Sequence, residues 1–338
     1  MKILLLQLKR IGDLILTTPA VAALRQRFPD AEMTMVVSSE CADLLPAISG
    51  VDRVLMARRN LRDLTAFLGV AGRRFDYCID FTRNDRSAFL AFLSKAGKRI
   101  VSYRVRDQSK SRARIYSDFV DVRMRDLHTI DYNLALLEPL GIRDASCSLN
   151  LQLPQSAQEK ADALLRNWNV KRPYVVLHPG SARQEKLWVA GRWRQVIESF
   201  GRDDDFDLVL TSGTSKYELA HVSAIKNETK IIDLSGETDL LTLAALIGKA
   251  RLLVTVDSAP VHLAAGTHTP QVILFGPTNP FHWRPRESPA LILHGKSAEP
   301  VTEFSPVQPR LPMSQISTEA VISAMDSVLS QRAAARTS

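Results

Sequence analysis

The sequence predicts an α/β protein made of two successive parallel-sheet domains. Short apolar runs such as KILLLQL, EMTMVVSS and RLLVTVDS recur along the chain, and each ends in small or polar residues. Runs of this sort separated by helical patterns indicate strands buried on both faces of a parallel sheet. The alternation breaks over a cation-rich stretch and restarts at Tyr174. At 338 residues the chain is too long for one ordinary domain and fits two of moderate size.

In the first half, KILLLQL is a strand, and a helix including PAVAALRQRF follows Gly12. EMTMVVSS is the second strand. DRVLMA, YCIDFT and RIVSY are later strands, with LRDLTAFLGVAG and DRSAFLAFLSKAG as the helices between them. TIDYNLALLEPLG reads as a helix closed by Gly141 at its C-cap. SLNLQL alternates like a strand, SAQEKADALLRNW is an amphipathic helix, and VKRP is a linker. From Tyr174 onward YVVLHPG, DLVLTSG, KIIDLSG, RLLVTVDS and QVILFG are five strands. WVAGRWRQVIESF, KYELAHVSAIKN, DLLTLAALIGKA and APVHLAAG are the helices among them. The expected domains are therefore 1–170 and 171–315, with a C-terminal helix at 316–334 packing back on the first. Ligands of open α/β sheets bind beyond the carboxyl ends of the strands, so two such sheets facing across a cleft would suit a pair of substrates.

Composition narrows the function classes. Apolar residues at 45% with 24% charged residues belong to a globular protein, not a disordered one. No apolar stretch approaches the roughly 18 residues of a membrane span, and the opening run lacks a signal-peptide cleavage pattern. The expected location is therefore the cytoplasm. Cys41, Cys78 and Cys147 form no CxxC and read as buried structural thiols. Residues 1–150 carry 24 Lys and Arg against 17 Asp and Glu, whereas the remainder is nearly neutral. A basic first half points to an anionic partner there. The segment from Lys95 to Arg125, which includes Lys98, Arg99, Arg104 and Arg106, concentrates that charge. No aromatic-interleaved basic surface or nucleic-acid motif accompanies it.

Candidate chemistry lies at strand ends. Ser258 and Ala259 follow the strand RLLVTVD and open a helix with Pro260 in its first turn. The free amides and dipole of such a helix start attract phosphate, although Asp257 or Ser258 could simply cap it. HPGSARQEKLW places Arg183 and Lys186 just after another strand. A cation there could neutralise a leaving diphosphate in place of a metal, or be a solvated loop lysine. Gly12 and Asp13 occupy the first strand-to-helix turn. Asp13 could take a proton from an acceptor hydroxyl, best if burial raised its pKa, or serve as an N-cap. No GxGxxG, phosphate loop, HExxH or GxSxG is present, and no histidine pair has metal-ligand spacing. Trp193, Phe281 and Trp283 read as packing residues, with Trp283 also able to stack on a ligand.

These residues carry a resemblance. KILLLQLKRIGDLILTTPAVAALRQRFPDA, LLEPLGI and VTVDSAPVHLAAGTHTPQVILFGPTNPFHWRP resemble, in order, the ADP-heptose:lipopolysaccharide heptosyltransferase family, glycosyltransferase family 9. The heptosyltransferase III branch is the nearest in kind. The resemblance implies a GT-B fold of two Rossmann-like domains, with the acceptor in the first and the donor in the second, and an inverting, metal-independent transfer of heptose from ADP-heptose to the lipopolysaccharide inner core, with no cofactor. It implies Asp13 as general base, with Gly12 beside the acceptor, and Lys186 as the diphosphate-binding lysine. Ser181, Asp257, Ser258, Ala259 and His262 fall on the donor side, together with Arg183. Where many members hold the ribose with an acid, this chain has Lys216; either Glu218, two residues on, takes over, or the nucleoside is held differently. Lys98, Arg99, Arg104 and Arg106 would meet acceptor phosphates at the cytoplasmic face of the inner membrane, in a monomer that binds no nucleic acid. The alternatives are a related transferase with another nucleotide sugar and a non-catalytic binder of anionic glycans.

Overall fold

In the computed structural model, residues 1–58, 64–149, 151–201, 205–226, 229 and 231–337 are described, with side chains through Ser330. The chain divides into two units between Gln152 and Leu153.

The first unit is a six-stranded sheet of β1 (Lys2–Gln7), β2 (Glu32–Ser38), β3 (Arg53–Ala57), β4 (Tyr77–Asp80), β5 (Lys98–Ser102) and β6 (Asp118–Val120). Its order is β3-β2-β1-β4-β5-β6 and all pairs are parallel. The central strand β1 is buried from Ile3 to Gln7, as its unbroken apolar run requires. Leu4, Leu6, Val36, Val101 and Tyr116 belong to the core beneath the helices on one face.

The second unit repeats the plan with β7 (Tyr174–His178), β8 (Asp207–Leu210), β9 (Ile232–Asp233), β10 (Leu252–Val256), β11 (Gln271–Phe275) and β12 (Ala290–His294). The order β12-β11-β10-β7-β8-β9 is again fully parallel. Both sheets thus run 3-2-1-4-5-6 in local numbering, the order of the doubly wound dinucleotide-binding fold. The two Rossmann-like sheets expected of GT-B are present.

Several elements depart from the sequence reading. The cation-rich 95–125 stretch continues the first sheet, since it contains β5 and β6 with helices Arg104–Gln108 and Lys110–Ala113 between them. The three-residue β6 is too short, and too interrupted by charge, to show an apolar run. SLNLQL is no strand over its described residues (Asn150 lies outside them). Residues 61–63 of the expected LRDLTAFLGVAG helix, Asn227 of KYELAHVSAIKN and Lys230 of KIIDLSG also lie outside the described residues.

The helix Gln155–Asn167, placed in the first domain by its sequence position, belongs to the second unit. Lys160 pairs with Asp239 at 3.0 Å, Lys249 pairs with Asp162, and Trp168 donates to Glu237 at 3.0 Å. The C-terminal helix Thr318–Thr337 lies in the second unit too. Ala320, Val321, Ala324 and Met325 join that unit's core with Trp188, Trp193 and Val254. Gly141, with φ of 76°, takes the left-handed C-cap the sequence assigned to it, after a short 3-10 turn at Glu138–Leu140.

Candidate active site

In the first unit, Asp13 lies in the short helix Ile11–Ile15 that follows β1. It is not the N-cap. Arg10 holds that position without a side-chain cap bond. The main chain around Asp13 is fixed, because its carbonyl accepts from Thr17 Oγ1 at 2.8 Å and Gln7 Nε2 donates to Thr17 Oγ1 at 2.7 Å. The side chain borders a hollow of about 270 Å³ lined by Leu8, Lys9, Arg10, Asp13, Ser38 and Glu40. Lys9 Nζ stands 3.8 Å from Asp13 Oδ1, and both side chains are largely buried. Burial raises the Asp13 pKa, while Lys9 and Arg10 oppose it. Burial also lowers the Lys9 pKa, which Asp13 opposes and Arg83 reinforces.

Behind this pair stands a fixed loop. Asp80, at the end of β4, accepts from Thr82 N at 2.8 Å, Arg83 N at 3.0 Å, Ser87 Oγ at 2.7 Å and Tyr116 Oη at 2.5 Å. The amide bonds anchor Arg83, whose φ is 65°, and its guanidinium lies 5.1 Å over the Tyr132 ring. Lys9, Asp80 and Arg83 were not singled out from sequence. The i, i+4 spacing of Lys9 and Asp13 in consecutive turns was the available signal.

The four basic residues expected beside the acceptor separate. Lys98 and Arg99 begin β5, and the register Tyr77↔Lys98 with Ile3↔Tyr77 sets them at the amino edge of the sheet. Asp13 follows the carboxyl end of β1, at the opposite edge. Arg99 is further committed to its own fold, donating to Ala96 O at 2.6 Å and to Ile115 O. Arg104 and Arg106 follow the carboxyl end of β5 and are exposed, with Arg106 held 3.9 Å over Phe119.

In the second unit the carboxyl ends of β7, β8, β10 and β11 are knitted together. His178 Nδ1 lies 2.9 Å from Thr211 Oγ1, and Thr255 Oγ1 donates to His178 O at 2.9 Å. Lys186 is not a solvated loop lysine. Its Nζ donates to Asp257 Oδ2 at 2.6 Å and to Asp257 O at 3.0 Å, and both side chains are buried. Thr278 Oγ1 donates to the same carboxylate. Arg183 turns elsewhere, pairing with Glu185 at 2.6 Å in solvent.

Neither Asp257 nor Ser258 caps the helix Ala259–Gly266 through its side chain. Its N-cap Ser258 makes no side-chain bond to the first turn, and Ser258 Oγ donates instead to Val256 O at 3.3 Å. The helix start is thereby left without a side-chain cap. His262 in its first turns is buried, and burial lowers its pKa to about 4, as it does for His178. Both are neutral near pH 7, so His262 can offer a hydrogen bond there but no charge.

Glu218 is also buried. Ser215 Oγ donates to it at 2.5 Å, and Tyr217 Oη donates to Ser181 O at 2.9 Å. Its carboxylate lies between two glycines: a Cβ on Gly180 or on Gly213 would come within 2.7 Å of a Glu218 oxygen. Lys216 merely opens the helix that carries it. Trp193 is fully buried, and Trp283 packs against Val261, Ile273 and Phe275, so both are packing residues. Cys41 and Cys78 are buried as expected, whereas Cys147 is half-buried.

A family model described as glycosyltransferase family 9 (heptosyltransferase) matches residues 67–309. Lipopolysaccharide heptosyltransferase 3 of Escherichia coli (strain K12) is 30% identical over 285 residues, 81% of this chain and 82% of that protein. The solved structure of a family 9 glycosyl transferase from Veillonella parvula superposes with a TM-score of 0.84 at 24% identity, over 98% of this chain and 97% of that one. The E. coli heptosyltransferase WaaC, solved with ADP, gives 0.71 at 18% identity over 97% of both chains. With the family model covering most of the sequence and a relative at 30% identity along most of both chains, this protein is a member of glycosyltransferase family 9, the heptosyltransferase family.

Proposed function

We propose that this protein is an inverting, metal-independent heptosyltransferase of the heptosyltransferase 3 kind. It moves L-glycero-D-manno-heptose from ADP-heptose to the inner core of lipopolysaccharide, as a monomer at the cytoplasmic face of the inner membrane. The observation that carries this reading is the buried Lys186–Asp257 pair beside an uncapped helix start. The names of the relatives support the substrates: the protein 30% identical is a lipopolysaccharide heptosyltransferase, and WaaC was solved with ADP.

In this mechanism the donor diphosphate lies at the start of helix Ala259–Gly266. Lys186, the Ala259 amide and Ser181 neutralise the charge that grows as the bond from the anomeric carbon to the phosphate oxygen breaks. Lys186 supplies the positive charge that a metal ion supplies in other transferases. Asp257 holds that lysine in place, and neutral His262 adds a hydrogen bond. Glu218 takes the ribose hydroxyls, the task for which its recess between two glycines suits it. Asp13 removes the proton of the acceptor hydroxyl as its oxygen bonds to the opposite face of the anomeric carbon, and later releases that proton to water. Arg104 and Arg106 meet acceptor phosphates.

Calorimetry with ADP, UDP and GDP, each with and without EDTA, tests the donor side. EDTA-insensitive binding of ADP alone is expected, and preference for UDP or GDP would refute the donor assignment. Asp13→Asn is expected to lower kcat by about 10²–10⁴-fold with ADP affinity unchanged. Near-full turnover by the folded variant would remove Asp13 as the base.

A further inference from the structure

The outer surface of the first unit carries an apolar face that the catalytic reading does not use. Twelve large apolar side chains are exposed among the described residues, and six of them sit on three neighbouring elements. Leu64 and Leu68 are 59% and 61% exposed on helix Leu64–Ala71, and Phe89 and Phe92 are 47% and 61% exposed on helix Asp85–Leu93. Val54 and Met56 are exposed on the edge strand β3. These groups adjoin one another. Phe67 and Phe89 meet edge to face at 5.2 Å across the two helices, and a groove of about 500 Å³ runs between Val54, Met56 and Leu64.

Helix Leu64–Ala71 reads LTAFLGVA and has no ionisable residue. Ala66 and Val70 form its buried stripe, so a helix facing water would carry charge where Leu64 and Leu68 stand. An apolar patch of this continuity marks an interaction surface. Its rim is basic. Arg58 lines the groove, Arg86 donates to Arg58 O at 2.9 Å, and exposed Lys95 follows helix Asp85–Leu93. Asp85 on the same helix is paired with Arg112 at 3.3 Å.

We propose that this face docks the protein on the surface of an anionic lipid bilayer, with Leu64, Leu68, Phe89 and Phe92 entering the interface and Arg58, Arg86 and Lys95 meeting lipid phosphates. It deepens, and rests on, the membrane contact in the proposed function. Apolar side chains with flanking cations match the two components of interfacial binding. A second copy fits less well, because a two-fold interface would set the basic rim against itself.

The test is co-sedimentation of the full chain with phosphatidylglycerol-containing vesicles and with phosphatidylcholine vesicles. The wild type is expected to pellet with the anionic vesicles, less so at high salt, and not with the neutral ones. Leu68→Ser with Phe92→Ser is expected to weaken partition by roughly tenfold or more. Its melting temperature and its turnover of a deacylated, water-soluble acceptor should stay at wild-type values. Unchanged pelleting of that variant would overturn the proposal. So would equal pelleting on neutral vesicles, or a wild-type dimer in sedimentation velocity that the variant abolishes. Failure of the transferase reading would look different: no turnover of any core acceptor by the wild type, with vesicle binding intact.

Discussion

Replacing Lys9 by methionine removes the ion pair that Asp13 makes with it. The charges stand 3.8 Å apart with side-chain exposures of 23% and 14%. At that distance the attraction is about 1 kcal/mol in a water-like medium and about 4 kcal/mol at the effective dielectric of a protein site. Losing that attraction raises the Asp13 pKa further. Burial already raises that pKa, and Lys9 is the largest opposing influence. Arg10 remains in the variant. Cys41, whose thiol burial pushes up to about 12, brings no charge near neutrality. Glu40 also lines the hollow, and the charges of Arg83 and Asp80 act on Lys9. The proposed general base works only when ionised, so the acidic limb of the kcat/KM profile should move to higher pH. Lys9→Arg should restore it. The assay is donor turnover followed from pH 5 to 9 under kcat/KM conditions. An unmoved limb, or one uniform loss of rate at every pH, would refute the coupling.

Lys186→Met should weaken ADP binding and lower stability by about 3–5 kcal/mol, because Asp257 is left buried without its counter-charge; calorimetry and urea unfolding report the two effects. His178 and His262 are held neutral by burial, with pKa values lowered to about 4. Their contribution to stability is complete above pH 6.5 and is lost as pH falls toward 4, at about 1.4 kcal/mol per pH unit for each. Urea midpoints should therefore fall less steeply with pH in His178→Gln than in the wild type. Gly213→Ala puts a Cβ 2.7 Å from Glu218 Oε2, so the flexible carboxylate must swing aside. ADP affinity should fall by roughly tenfold or more with little change in melting temperature, and unchanged affinity would detach Glu218 from the donor.

Most of the fold was legible because fully buried parallel strands leave unbroken apolar runs, as at Ile3–Leu6 and Leu252–Val256. What escaped was short or governed by tertiary contact. β6 spans three residues, and helix Gln155–Asn167 is tied to its unit by the ion pairs of Lys160 and Asp162, which no local pattern announces. Sequence singled out Asp13, Lys186, Asp257 and Glu218 as candidates. It could not show that Lys186 is bound to Asp257, 71 residues away, or that Lys98 begins a strand and so falls at the far edge from Asp13. Cation density along a chain does not distinguish the two edges of a sheet.

The two units share a strand order yet hold their polar groups in opposite ways, and the proposed chemistry calls for that difference. In the second unit Lys186, Asp257 and Thr278 form one hydrogen-bonded set at the strand ends, and His178, Thr211 and Thr255 form another. A group that stabilises charge developing on a leaving diphosphate gains from being fixed beforehand, since no reorganisation is then needed during reaction. In the first unit the Asp13 backbone is fixed, but its carboxylate meets Lys9 at 3.8 Å, longer than a hydrogen bond, beside an open hollow. A general base must keep its oxygen available to the incoming hydroxyl, and a short bond to Lys9 would compete with it while lowering its basicity. The looser pairing opposes the upward pull of burial on the Asp13 pKa without occupying the carboxylate. For that reason the substitutions at Lys9 and Lys186 should separate: the first moves the pH profile with donor affinity intact, and the second weakens donor binding with the profile unmoved.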